Sequence, residues 1–308
     1  MSRLSGHAAD YLELRRALGF KLAKEGRLLP DFAAFTEAAG AGTVTIDLAL
    51  RWAVRPDGTS PVWAAQRLSM VRGFAQYLHT VDPAAQVPPA GLLPARTRRV
   101  TPYIYSDADI AALMAAAGTL RSPLKAATIG TLIGLLAVTG MRGSEAMRLD
   151  DQDLDAAAGL LTIRATKFRK SRQLPLHPTT LRALAGYQVL RDRLCPAPAT
   201  ASLLVSTTGA RLCHETVQPV FRLLLAQAGI GQGRPAPRAT LHGLRHTFAV
   251  KTLLGWYRDG QDVQARMPVL SAYLGHAGPA ATYWYLTATP ELLALAAGRL
   301  EAEPGGAR

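Results

Sequence analysis

Between residues 8 and 78 apolar side chains recur at helical spacing, as in Tyr11, Leu14 and Leu18 and again in Trp63, Leu68, Val71, Phe74 and Leu78. A stripe of that period buries one face of a helix, and several in succession predict a small helical bundle. The periodicity stops over 81–103, where Pro83, Pro88, Pro89, Pro94 and Pro102 interrupt the chain and Arg96, Arg98 and Arg99 add charge. Proline lacks the backbone donor that a helix or strand interior needs, so this stretch reads as a linker. Ser106 and Asp107 then stand as an N-cap and first turn ahead of Ile110. Helical material over 124–149 is broken at Thr139-Gly140, and 160–164 and 172–176 read as short strands on either side of a basic turn. Residues 179–194, 216–228 and 243–257 return to helix, and Leu292, Leu293, Leu295 and Leu300 mark an apolar helix after Pro290.

The pattern predicts a mainly α protein with a small antiparallel β-sheet in its C-terminal part. A chain of 308 residues is long enough for two cores. The expected organisation is a helical domain over 1–82, a basic Pro-rich linker over 83–102, and a second α+β domain over 103–308.

Charge narrows the function. Lys and Arg total 35 against 22 Asp and Glu, a formal net charge of +13, so the surface attracts a polyanion, with nucleic acid as the leading class. The apolar stretches are too short or too interrupted to span a bilayer, and residues 1–10 carry no signal-peptide pattern, so a cytoplasmic protein is expected. Cys195 and Cys213 are too few for a disulfide framework and read as reduced thiols. Arg67 and Arg72 on the 63–78 helix, with Arg96, Arg98 and Arg99 in the linker, are candidate phosphate contacts. A solvated helix face and a plain interdomain tether are the alternatives.

Four segments carry candidate chemistry. In Thr139-Gly140-Met141-Arg142-Gly143-Ser144-Glu145 an apolar helix ends at a glycine turn, and Arg142 stands where a helix start offers free N–H groups to a phosphate. Glu145 either orients an arginine or stabilises the turn. Around the basic turn, Arg164, Lys167, Arg169, Lys170 and Arg172 form a local anion trap from which a lysine can donate a proton. In Leu241-His242-Gly243-Leu244-Arg245-His246, His242 and Arg245 share a helical face. His242 and His246 have a zinc-ligand spacing, but Gly243 occupies the place of a zinc protease's glutamate, and His246 reads as structural. Leu274-Gly275-His276 is followed by Tyr285 within Thr282-Tyr283-Trp284-Tyr285-Leu286, where a lone tyrosine would ordinarily be a packing aromatic.

Taken in order, these segments resemble the tyrosine recombinase (phage integrase) family, whose catalytic domains carry Arg, Lys, His-x-x-Arg, His and Tyr in succession. Arg142 falls in the family's Gly-x-Arg-x-Ser-Glu box and Lys167 at its β-hairpin position. His242 and Arg245 match the His-x-x-Arg pair, His276 lies in the Leu-Gly-His box, and Tyr285 has the nucleophile's spacing. The resemblance covers roughly 103–300, while the N-terminal bundle is similar to the family's core-binding domain in size and character. The run from Thr282 to Leu286 with Pro290-Glu291-Leu292-Leu293 is similar to recombinases of bacterial transposons and integrative elements.

The resemblance implies a site-specific recombinase that cuts and rejoins double-stranded DNA through a 3′-phosphotyrosyl link at Tyr285. Arg142 and Arg245 would clamp the phosphate, supplying the charge that a metal supplies elsewhere, so no metal or cofactor is expected. His242 would accept the phenolic proton, His276 would hydrogen-bond the phosphate, and Lys167 or Lys170 would protonate the departing oxygen. It also implies a tetramer on two DNA sites, built through the C-terminal helix, with accessory recombinases as further partners; packing of that helix on its own domain is the alternative. A type IB topoisomerase uses similar chemistry, and a DNA-binding protein of this fold without activity is a rival of a different class.

Overall fold

In a computed structural model, the structure describes residues 3–55, 57–94, 101–164, 171–231, 238–276, 278, 280–287 and 289–302. The chain separates into two compact units, Met1–Arg99 and Val100–Arg308.

Among the described residues the first unit packs four helices, α1 Arg3–Ala17, α2 Glu25–Ala38, α3 Ile46–Ala53 and α4 Pro61–His79. Thr45 and Ser60 side chains cap α3 and α4 by accepting from Leu48 N and Trp63 N, satisfying donors that the first helical turn leaves free. Leu4, Leu12, Phe32, Trp52, Leu68, Val71, Phe74 and Leu78 fill the core. Tyr11 is buried as its spacing predicts, but Leu14 and Leu18 are exposed. The buried stripe of α1 runs through Leu4, Ala8, Tyr11 and Leu12, so Leu14 points off it and Leu18 falls beyond the helix end.

The described start of the expected linker is not a free tether. Ala85 is buried in the first core, Gln86 donates from its N–H to the Val44 carbonyl, and Arg72 Nε donates to the Pro88 carbonyl at 2.8 Å. Arg72 thus pins this segment. Arg67 is 6% exposed: its guanidinium lies 3.9 Å over the Trp52 ring and donates to the Arg55 carbonyl. The expectation that Arg67 faces DNA is corrected, because a long side chain on the basic stripe is drawn inward by an aromatic ring and a free carbonyl. Arg96, Arg98 and Arg99 lie outside the described residues.

The second unit is built from α5 Asp107–Gly118, α6 Pro123–Thr139, the single turn α7 Gly143–Ala146, and strands β1 Leu154–Asp155, β2 Leu160–Ile163 and β3 Arg172–Pro175. Helices α8 Pro178–Leu194, α9 His214–Gln227, α10 Leu241–Arg258, α11 Val263–Leu274, the short α12 Ala280–Tyr283 and α13 Pro290–Ala302 follow. Ser106 caps α5 in a capping box with Asp109. The strands form an antiparallel meander in the order β1-β2-β3, with Ile163 paired to Arg172 at the mouth of the basic turn. Leu161, Ile163 and Leu174 face a core that includes Leu113, Leu132, Leu136, Leu184, Phe221 and Leu244. The acidic connector is tied to arginines: Asp150 pairs with Arg211 at 2.6 Å, Asp151 with Arg191 at 2.7 Å, and Asp153 with Arg164.

A smaller cluster holds Ala249 and Leu253 of α10, Met267, Leu270 and Leu274 of α11, Tyr285, and Leu292 of α13. The C-terminal helix therefore packs on its own unit, and Arg258 Nη2 donates to Glu291 Oε1 at 2.5 Å. Among the described residues no helix is long and apolar enough to cross a membrane.

Candidate active site

Three chain reversals converge. Helix α6 ends at Gly140 in the left-handed region, φ 60°, where a β-carbon would fall 2.3 Å from the Phe248 ring. Immediately beyond it Arg142 precedes α7, and Glu145 Oε2 accepts the Arg142 backbone N–H at 2.9 Å while Oε1 accepts from its Nη1 at 2.7 Å. Glu145 therefore plays both roles left open by the sequence, turn stabiliser and arginine partner. Arg142 Nη2 reaches across to the Gly275 carbonyl at 2.8 Å.

From β3, Arg172 donates Nη2 to Glu145 Oε2 at 2.7 Å, Nη1 to Oε1 at 3.2 Å, and Nε to the Tyr273 carbonyl at 2.7 Å. Its side chain is 12% exposed. The assignment of Arg172 to DNA contact is corrected: a guanidinium is donor-only and planar, and its fork is fully matched here by a buried carboxylate and a carbonyl. Burial opposes ionisation of Glu145, but hydrogen bonds from Arg172 and from the Arg142 backbone, with the positive charge of Arg172, hold it down to about 2.

Helix α10 supplies the third side. Thr240 caps it by accepting from Gly243 N, and Tyr105 braces it from the unit's first segment by donating from N to Thr247 Oγ1 at 2.8 Å. Gly243 lies against the Tyr105 ring and the Tyr103 carbonyl, which leaves no room for a zinc protease's glutamate. Arg245 is 2% exposed, with Nη1 on the Gly140 carbonyl at 2.9 Å and Nη2 on the Leu274 carbonyl at 2.8 Å. Burial first, then Arg142, push its pKa down to about 10, which leaves it cationic near neutrality.

Tyr285 sits in the 3₁₀ turn Trp284–Thr287 and is 2% exposed. Burial raises its pKa, opposed by the positive charges of Arg245 and Arg142. His276 Nδ1 is 2.7 Å from Thr282 Oγ1, and its ring stacks at 6.2 Å from Tyr285. His242 is exposed on α10, its ring edge-on to His246 at 4.6 Å; protein mass around it, then Arg245 and Arg142, lower its pKa.

The structure thus brings together Arg142, Arg245, His242, His276, Tyr285 and Glu145. Lys167, Arg169 and Lys170 lie outside the described residues. Arg164 is half-exposed and paired with Asp153. Sequence reasoning took His246 as structural, yet its Nδ1 lies 3.2 Å from the Tyr285 hydroxyl. Its position one residue past Arg245 was the available signal, but only the fold shows which α10 side chain meets the tyrosine. Burial first, then His242, Arg245 and His276, push the His246 pKa down to about 4, and burial leads the causes that bring His276 to about 4. Among the described residues no group of three or more His, Cys, Asp or Glu side chains is placed to hold a metal ion.

The chain is similar to known proteins. Residues 105–291 match the model of the phage integrase family. A putative integrase/recombinase, y4rB, of Sinorhizobium fredii is 43% identical over 307 residues, 98% of each chain. The tyrosine recombinase XerC of Azotobacter vinelandii is 33% identical over 221 residues, 72% of this chain and 68% of its own. Among solved structures, the Tn1549 transposon integrase in complex with circular intermediate DNA superposes with a TM-score of 0.63 at 19% identity, covering 96% of this chain and 99% of that one, a likeness of fold. With a family match across most of the second unit and a relative similar along nearly the whole length, the chain belongs to the phage integrase family and is a tyrosine recombinase.

Proposed function

We propose that this recombinase cleaves and rejoins double-stranded DNA at specific sites through a 3′-phosphotyrosyl intermediate on Tyr285, in the integration, excision or transposition of a mobile element. The observation that carries the reading is the meeting of Tyr285 with two arginines: Arg245 and Arg142, held on the Leu274 and Gly275 carbonyls, both lie close enough for their charge to favour its ionised form. Arg142 and Arg245 offset the charge that builds on the non-bridging oxygens in the pentacoordinate transition state. The Tyr285 hydroxyl gives its proton to an imidazole of the site as its oxygen bonds to phosphorus, the bond to the 5′ oxygen breaks, and Lys167, or Lys170, protonates that leaving oxygen. His276 faces the phosphate as a hydrogen-bond donor, with His242 beside it as the imidazole that the family resemblance offers for the phenolic proton. A 5′-hydroxyl of another strand then reverses the step, so strands exchange without ATP.

Guanidinium charge suffices in this scheme, and cleavage proceeds in EDTA. The mobile-element role is supported by the fold shared with the Tn1549 transposon integrase and by the integrase/recombinase relative. In this reading Met1–Arg99 is the core-binding unit and Arg96, Arg98 and Arg99 follow the phosphate backbone. The enzyme acts in the cytoplasm, and four copies assemble on two sites by moving α13 from its own unit to a neighbour, with accessory recombinases as further partners.

The test is a nicked suicide substrate carrying the cognate site, sought in the DNA flanking the gene, with wild type and Tyr285→Phe compared in EDTA on a denaturing gel. A covalent adduct in wild type alone is the expected result. An adduct that survives in Tyr285→Phe moves the nucleophile elsewhere, and DNA binding with no adduct in either favours a DNA-binding protein without activity.

A further inference from the structure

Three imidazoles line this site, and His242 is the one that the family resemblance offers as the proton acceptor. The hydroxyl of Tyr285 has a different neighbour. His246 Nδ1 is 3.2 Å from it, whereas no hydrogen bond from His242 to Tyr285 occurs among the described residues. The His246 ring is held there by edge-to-face packing on Trp284 at 5.4 Å and on His242 at 4.6 Å.

Arg245, whose guanidinium is bonded to the Gly140 and Leu274 carbonyls, adds a positive charge that favours the ionised phenol. The phenol has one proton to give, and the ring nitrogen facing it within hydrogen-bond distance is His246 Nδ1. Resting on the recombinase reading above, we propose that His246 is a catalytic residue, the acceptor that takes the Tyr285 proton as the tyrosine attacks DNA.

As the bond from Tyr285 to phosphorus forms, the O–H bond breaks and the proton moves to Nδ1, leaving an imidazolium that returns it when the phosphotyrosyl link is resealed. The groups facing His246 are His242 and Arg245 of its own helix, His276 beyond α11, and Tyr285 of the 3₁₀ turn. With cationic and neutral neighbours alone, the ring stays uncharged near neutrality and keeps Nδ1 open. A base this weak does not ionise tyrosine in advance; it accepts the proton during attack, while Arg245 stabilises the oxygen.

The experiment measures adduct formation on the nicked suicide substrate in two forms, one with the ordinary scissile phosphate and one with a 5′-bridging sulfur, whose leaving group needs no proton. His246→Ala is expected to slow both by about a hundredfold or more at unchanged DNA affinity, whereas Lys167→Ala recovers with sulfur. His246→Asn, which sets an acceptor near the Nδ1 position, should recover part of the rate. Equal rates for His246→Ala and wild type, with loss in His242→Ala, overturn the proposal. A second readout needs no cleavage: imidazole ¹⁵N spectra should show the His246 tautomer protonated at Nε2, with an Nδ1 resonance that moves in Tyr285→Phe. The opposite tautomer overturns the proposal, and this result stands even if wild type forms no adduct, the outcome that instead removes the recombinase reading.

Discussion

Arg172 and Glu145 face each other fork to fork, Nη2 to Oε2 at 2.7 Å and Nη1 to Oε1 at 3.2 Å, with the carboxylate side chain 3% exposed. Glu145 also holds Arg142 by both backbone and side chain. One carboxylate therefore couples the strand that emerges from the basic turn to the arginine at the end of the α6 turn. With side chains only 12% and 3% exposed, the pair is a buried link between those two segments.

Removing Arg172 leaves Glu145 buried with half its partners. Breaking such a pair costs about 3–5 kcal/mol, and a misplacement of about 1 Å costs on the order of a hundredfold in rate. Arg172→Ala should lower the thermal midpoint and cut adduct formation by about that factor. Arg172→Lys should recover little, because an ammonium cannot span both carboxylate oxygens and the Tyr273 carbonyl. Full activity in either variant would separate Glu145 from the positioning of Arg142.

Acid should destabilise the second unit in two stages. Glu145 has its pKa depressed to about 2, so its contribution is fully present above its ordinary value of 4.5 and is lost as pH falls toward 2. His246 and His276 are also depressed, from 6.5 to about 4, so their contribution is present above 6.5 and is lost as pH falls toward 4. Denaturant midpoints should fall between pH 6.5 and 4 and again below 4.5. In Glu145→Gln the lower stage should vanish while the upper one remains; if both persist, another carboxylate is responsible.

Much of this architecture was legible because it rests on local patterns. The Ser106 cap, the break at Thr139-Gly140, the paired strands and the helix carrying His242 and Arg245 are short-range signals, and the structure places them as expected. Helix α11 was not marked by the pattern, since Pro268 stands inside it and removes a helical hydrogen bond. The two-residue β1 is too short to show alternation. Burial of charge was least legible: composition shows Arg67, Arg172 and Arg191 only as positive charges, yet Trp52, Glu145 and Asp151 turn them inward. The partners of such arginines lie far away in sequence, and only tertiary packing reveals them.

Arg67 gives a test that separates structure from DNA contact. A side chain on phosphate contributes about one unit to the slope of log affinity against log salt. Arg67→Ala should leave that slope unchanged and lower the stability of the first unit by about 1–3 kcal/mol, the cost of an unpaired buried carbonyl and a lost ring contact. A fall of about one unit in the slope at wild-type stability would return Arg67 to the DNA surface.

Gly275 closes the same network from the other side. It ends α11 in the left-handed region, φ 69°, and a β-carbon there would lie 2.6 Å from Arg172 Nη1 and 2.9 Å from its guanidinium carbon. Its carbonyl accepts from Arg142 Nη2 at 2.8 Å, and His276 follows directly. Gly275→Ala therefore meets two costs, a backbone strain of about 1 kcal/mol and displacement of a side chain that cannot move without leaving Glu145. Adduct formation should fall as far as in Arg172→Ala, although residue 275 contributes no side chain. In the double variant only the backbone strain should add to the loss of stability, and the rate should fall no further than in Arg172→Ala alone. Full additivity in both would mean that the β-carbon is accommodated elsewhere and that Arg172 keeps its hold on Glu145.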